Sequence, residues 1–129
     1  MFSRSFGATT FARFWQYWNP VYGYVLGFFV FASLRRFAPR SLCVVITFAF
    51  SGFLFHDLIL WPSALAHSSH PPFPFVTVAF IALAFFILAT ERLHISLRRL
   101  SPFMRATCHF LALAGAFAVS TAAYLVMSE

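Results

Sequence analysis

A histidine and an aspartate stand side by side within a long apolar stretch of the chain. His56 and Asp57 follow Ser51 and Gly52 closely, and the residues around them, 46–58, are mainly apolar. Ionisable side chains are costly inside a bilayer and usually serve a purpose there. A histidine has an ordinary pKa near neutral pH and can act as a general base. The alternative interpretation is a histidine that only packs between helices, with its ring hydrogen-bonded to a neighbour.

The second polar feature is an asparagine inside an aromatic cluster. Asn19 immediately precedes Pro20, and it follows Trp15 and Trp18. An amide at such a break in a helix could hold a carbonyl group or a developing oxyanion. The alternative is an asparagine that caps a helix or forms a turn, with aromatic side chains at the membrane interface.

The composition decides the class of protein that carries these residues. The chain has 129 residues, of which 61% are hydrophobic, only 9% are charged and 20 are Phe. Soluble domains are about half apolar and a quarter charged. A soluble enzyme, a disordered chain and a disulfide-rich module are therefore excluded. The mean hydropathy of +0.83 predicts an all-α integral membrane protein with the lipid bilayer as its surroundings.

The positive charge of the chain indicates membrane topology, and no nucleic-acid partner is expected. The net charge is +6, and every basic residue apart from histidine is an arginine. These arginines are scattered between apolar stretches and form no continuous patch. Arginines that flank membrane spans follow the positive-inside rule. Two cysteines, Cys43 and Cys108, suggest no disulfide framework, and we expect reduced thiols.

Three stretches are long and apolar enough to span a membrane within a single domain covering residues 1–129. They are 41–61, 73–90 and 106–127. The stretch 14–34 is also apolar, but polar residues and Pro20 interrupt it. We therefore expect three spans, and the alternative is a four-span protein in which this stretch also crosses the membrane. Three spans place all the arginines on one side of the membrane, which satisfies the positive-inside rule completely.

In the three-span arrangement, the N-terminal aromatic helix is interfacial or re-entrant. Phe11, Phe14, Trp15 and Trp18 form one helical stripe, and Arg13 lies on the wetter side. This arrangement fits a bacterial inner membrane with the arginine-rich N-terminal region in the cytoplasm. Residues 1–13 lack acidic side chains and also fit a mitochondrial transit peptide, so a mitochondrial membrane is the alternative.

The two polar features together resemble a known family. Trp18-Asn19, followed by the pattern Thr-Phe-x-x-Ser-Gly-x-x-x-His-Asp-Leu at 47–58, is similar to the membrane-bound O-acyltransferase superfamily. The similarity is greatest to its wax-synthase and sterol/diacylglycerol acyltransferase branches. The similarity covers residues 11–60 and corresponds to the C-terminal catalytic portion of that family.

The chain departs from the family pattern by Asp in place of Glu after the histidine, and by one extra residue between Ser-Gly and His. Gln16-Tyr17 also stands where the wax-synthase branch usually has basic residues.

The resemblance implies transfer of an acyl group from a thioester, such as acyl-CoA, to a hydroxyl acceptor. It implies His56 as the general base and Asn19 as its catalytic partner. It also implies that the substrate is bound by Trp15, Trp18, Ser51 and Asp57. No cofactor is implied beyond the acyl thioester as co-substrate. Because family members build their tunnel from many helices, a homo-oligomer or a partner membrane protein is expected. A non-catalytic membrane subunit or scaffold is the alternative function.

Two other histidine arrangements have the residue types of a metal or haem site. His67 and His70 are three residues apart, but no third ligand is close in sequence, so no metal site is predicted. His56 and His109 could in principle ligate one haem. In the three-span arrangement, however, their depths in the membrane differ by roughly 18 Å, which is too far for one haem to bridge.

Overall fold

The described part of the chain is helical, with no strand. The computed structural model describes residues 2–18, 20–67 and 73–129. Asn19 and His70 lie outside these ranges. The helices are α1 (Phe2–Phe6), α2 (Phe11–Trp18), α3 (residues 20–34), α4 (Arg40–His67), α5 (Phe75–Arg92) and α6 (Pro102–Ser128).

Three of the described helices, α4, α5 and α6, are long and apolar enough to cross a membrane, which confirms the predicted three-span fold. The apolar part of α3, Gly23–Leu34, is too short, so the four-span alternative finds no fourth helix of sufficient length among the described residues. Helix α4 continues through Pro62, where the sequence pattern had ended it. Proline is tolerated inside spanning helices because neighbouring groups satisfy the freed backbone.

The spanning helices run alternately up and down, so every arginine lies at one end of the bundle. At this arginine-rich end, the guanidinium of Arg40 donates two hydrogen bonds to the carboxylate of Glu91, at 2.6 and 3.0 Å. Near the other end of the bundle, the Ser120 hydroxyl donates to the carbonyl oxygen of Phe75 at 2.6 Å. Val76, Phe80, Leu83 and Ala116 form the buried core between α5 and α6.

The N-terminal segment is attached to the arginine-rich end through the turn at residues 7–10. His109 Nε2–H donates to the carbonyl oxygen of Ala8 at 2.9 Å, and Arg105 donates to that of Gly7 at 3.2 Å. These two side chains stand one turn apart on α6. The backbone N–H of Leu97 donates to the carbonyl oxygen of Thr9 at 2.8 Å. The turn is therefore fixed relative to the third spanning helix.

The aromatic stripe of α2 faces the protein interior. From the sequence, this helix was expected to be interfacial or re-entrant. Phe14 stacks on the His109 ring at 4.8 Å, and Trp15 contacts the rings of Phe48 and Phe80, each at 5.4 Å between centroids. Arg13 is exposed, as expected for the opposite side of α2. Phe48 lies eight residues into α4, roughly 12 Å along its axis from Arg40. The helix thus dips into the bundle, which favours the re-entrant alternative.

Candidate functional site

A cavity of about 550 Å³ lies between α2 and α3 on one side and α4 and α5 on the other. This volume is in the usual range for small-molecule sites. Its walls are mostly apolar. Its lining includes the predicted residues Trp15, Trp18, Ser51 and His56. The structure therefore brings four of the six predicted site residues to the wall of one cavity.

One face of α4 forms a long wall of the cavity. Arg40, Val44, Thr47, Phe48 and Ser51 all line it, at the three- and four-residue spacing of one helical face. The next lining residue is His56, five positions after Ser51. In a regular α-helix the residue four positions on, Phe55, would continue this face.

A π-helical turn accounts for this change of spacing. Residues Phe53–Asp57 are π-helical, and the backbone N–H of Leu58 donates to the carbonyl oxygen of Phe53, five residues back. Such a turn holds one more residue than an α-helical turn, and π-bulges occur frequently at functional sites. The extra residue between Ser-Gly and His, noted in the sequence, thus lies in a widened turn. His56 therefore stays on the face of Ser51.

The hydrogen bond made by His56 determines which ring nitrogen carries the proton. Nδ1 lies 3.3 Å from the carbonyl oxygen of Ser51. A carbonyl oxygen can only accept, so Nδ1 is the protonated atom in this contact, and Nε2 of the neutral ring keeps its lone pair. The ring also lies 5.2 Å from the Phe80 ring between centroids. A histidine with this tautomer in an apolar cavity can accept a proton at Nε2.

Asp57 faces away from His56, toward the start of α5. Its two carboxylate oxygens accept the backbone N–H groups of Val76 (3.0 Å) and Thr77 (2.7 Å), and the Thr77 hydroxyl donates at 2.5 Å. The side chain is buried, at 2% exposure. The first N–H groups of a helix lack partners within it, and a carboxylate there is favoured by the helix dipole. Asp57 caps a neighbouring helix and does not line the cavity where substrate binding was expected of it.

Gly52 stands on the same side of α4 as Asp57 and allows α5 to approach closely. A Cβ atom at Gly52 would lie 2.8 Å from the Thr77 Cα and 3.0 Å from the Val76 carbonyl oxygen. No side chain larger than hydrogen fits this contact without displacement. In the Ser51-Gly52 and His56-Asp57 pairs, the first residue lines the cavity and the second packs against α5.

Two features of the cavity were not predicted from the sequence. The first is the ion pair between Arg40 and Glu91, both of which line the cavity at its arginine-rich end. Their positions, at the start of one span and the end of the next, could have indicated the pair. The second is the hydroxyl of Thr47, which is buried and has no hydrogen-bond partner among the described residues. Thr47 is the first residue of the pattern at 47–58, but no role was predicted for it from the sequence.

The structure describes three of the four histidines that could form a metal or haem site, and His70 lies outside the described residues. Within residues 2–18, 20–67 and 73–129, no group of three or more His, Cys, Asp or Glu side chains could hold a metal ion. His67 is exposed, and its ring contacts the carbonyl oxygen of Ser63 at 2.8 Å. His109 is buried under Phe14 and binds the Ala8 carbonyl oxygen.

Comparison with known proteins gives no family assignment. No family model, no curated protein and no solved structure matches this chain.

Proposed function

We propose that this membrane protein transfers an acyl group from a thioester, such as acyl-CoA, to a hydroxyl acceptor, with His56 as the general base. The observation that carries the proposal is the position of the His56 ring. It lines an apolar cavity within the bundle, and the Ser51 carbonyl holds the tautomer that leaves Nε2 as a base. The resemblance of residues 11–60 to the membrane-bound O-acyltransferase superfamily, and its wax-synthase-like branches, supplies the reaction.

In the proposed reaction, Nε2 of His56 takes the proton of the acceptor hydroxyl while the oxygen attacks the thioester carbonyl carbon. A carbon–oxygen bond forms and the carbon–sulfur bond breaks. The thiolate leaves and takes the proton back from the imidazolium, so the histidine is regenerated without a cofactor. Trp15 and Trp18 form part of the wall beside which the acyl chain would lie. Asn19 remains the proposed partner for the developing oxyanion.

The test is consumption of a long-chain acyl-CoA by the purified chain in the presence of a long-chain alcohol, followed as free thiol release and ester formation. The chain is assayed alone and after purification with its native membrane partners. Ester formation by the chain alone supports the proposal. Activity only with partners identifies a split enzyme when His56→Ala abolishes that activity. Absence of ester formation in both contradicts acyl transfer between these classes of substrate.

The exposed outer face of α3 favours a second candidate function, that of a non-catalytic subunit. Tyr24, Phe28 and Phe29 are each more than 60% exposed, and the Tyr24 and Phe28 rings stack. A partner membrane protein or a second copy covering this face would fit a scaffold role. In a scaffold role the partner would supply the catalytic residues. The protein purified with its partners would then still form ester when His56 is replaced by alanine.

We also propose an orientation and a membrane. The arginine-rich end faces the cytoplasm, in accordance with the positive-inside rule, and the bacterial inner membrane is the proposed location. A mitochondrial membrane is the alternative. A cysteine introduced at Arg98, in the loop between α5 and α6, tests the orientation. In intact cells it should resist a membrane-impermeant thiol reagent, while one introduced at Ser128 should react.

A further inference from the structure

A second, smaller depression lies at the arginine-rich end, outside the cavity of His56. It has a volume of about 310 Å³ and is lined by α1, the turn after it, and α2. Arg4 comes from α1, while Arg13 and Tyr17 stand one turn apart on α2. Two guanidinium groups and a phenol hydroxyl from different helices therefore border one concave surface.

The charges at this depression have no acidic counterpart within the chain. The sequence contains only three acidic residues. Asp57 caps α5, Glu91 pairs with Arg40, and Glu129 ends the chain beyond the far end of α6. Neither Arg4 nor Arg13 makes an ion pair among the described residues. The two guanidinium groups are therefore available to an anionic group of another molecule.

The depression is held in place by the bundle. Its floor includes Gly7, Ala8 and Thr9. The carbonyl oxygens of these three residues accept hydrogen bonds from Arg105, His109 and the Leu97 backbone, respectively. Because Arg105 and His109 belong to the third spanning helix, the backbone between the two arginines is held against that helix.

We infer that Arg4, Arg13 and Tyr17 form a binding site for the phosphate headgroup of an anionic phospholipid. Arginine binds phosphate through paired N–H donors, and tyrosine is common at headgroup depth. Arginines close to the cytoplasmic membrane surface attract anionic lipid headgroups. The position at the arginine-rich end of a three-span bundle favours a lipid over a soluble anion. This site does not depend on the proposed acyl transfer.

The test measures lipid retention by the full-length protein in detergent micelles, using native mass spectrometry. The probes are a phosphatidylglycerol and a phosphatidylcholine with the same acyl chains. The variants are Arg4→Gln/Arg13→Gln and the matched pair Arg36→Gln/Arg92→Gln, which removes two exposed arginines at the same end of the bundle. A charge-conserving pair, Arg4→Lys/Arg13→Lys, is the third variant.

We expect the wild type to retain phosphatidylglycerol in preference to phosphatidylcholine. Each arginine that bonds the headgroup through charge-assisted hydrogen bonds contributes roughly tenfold to this preference. The Arg4→Gln/Arg13→Gln pair should therefore lose at least that factor, whereas the matched pair and the lysine pair should keep the preference. An equal loss in the matched pair would overturn the inference in favour of diffuse charge. Displacement of the lipid by millimolar inorganic phosphate would overturn it in favour of a soluble anion.

Discussion

Ser51 and His56 are five residues apart on α4 and nevertheless line the same cavity, with His56 Nδ1 3.3 Å from the Ser51 carbonyl oxygen. The π-helical turn at Phe53–Asp57 makes this possible. The same turn carries Asp57 to the start of α5, above the close contact at Gly52. One local change of helical spacing thus serves both the candidate site and the packing of two spanning helices.

Deletion of Leu54 should be tolerated if the turn is a one-residue insertion. The remaining four residues can close with ordinary α-helical hydrogen bonds, and His56 and Asp57 keep their faces. We expect a change in the free energy of unfolding of less than about 1 kcal/mol. Titration with a denaturing detergent, followed by circular dichroism, measures this quantity.

Deletion of Phe50, a partly exposed residue of the same helix, is the matched control. It moves Phe53 into the position of Gly52, where a Cβ atom alone would lie 2.8 Å from the Thr77 Cα. This deletion should cost more than about 3 kcal/mol, or prevent accumulation in the membrane, because overpacking displaces α5. If both deletions destabilise the protein equally, the turn is not the adaptable element described above.

Replacement of Asp57 should destabilise the contact between α4 and α5. Asp57→Ala leaves two backbone N–H groups and a hydroxyl at the start of α5 without their acceptor. We expect a loss of about 3 kcal/mol in the free energy of unfolding, and a smaller loss for Asp57→Asn, which keeps one oxygen acceptor. Thr77→Val removes only one donor and should cost about 1 kcal/mol. A neutral Asp57→Ala variant would contradict the capping role.

Two glycines in spanning helices should respond differently to alanine. At Gly52 the added Cβ meets the backbone of α5, so Gly52→Ala should cost about 1–3 kcal/mol. At Gly115 on α6 nothing lies within 4 Å of an added Cβ, and Gly115→Ala should be neutral or slightly stabilising. Thermal unfolding of the two variants in the same detergent compares them directly. Equal destabilisation would show that the contact at Gly52 does not limit helix packing.

The fold was predictable from the sequence because a spanning helix is determined by the length of an apolar run. The distribution of the arginines also favoured three spans correctly. The π-helical turn was not predictable, since residues 53–57 have no composition that distinguishes a π-turn from an α-turn. Because the turn was not predicted, the sequence could not show that the Asp57 side chain reaches the start of α5. The stripe of Phe11 and Trp15 was visible, but apolar side chains alone do not distinguish a lipid-facing from a protein-facing surface.

The most direct test of the account compares two histidine substitutions in the acyl-transfer assay. His56 and His67 each contact a backbone carbonyl oxygen through Nδ1, but only His56 lines the cavity. His56→Ala should lower the rate of ester formation at least about 100-fold, the usual contribution of a general base, while His67→Ala leaves it unchanged. Both variants should insert into membranes like the wild type. Ester formation that persists in His56→Ala would contradict the account.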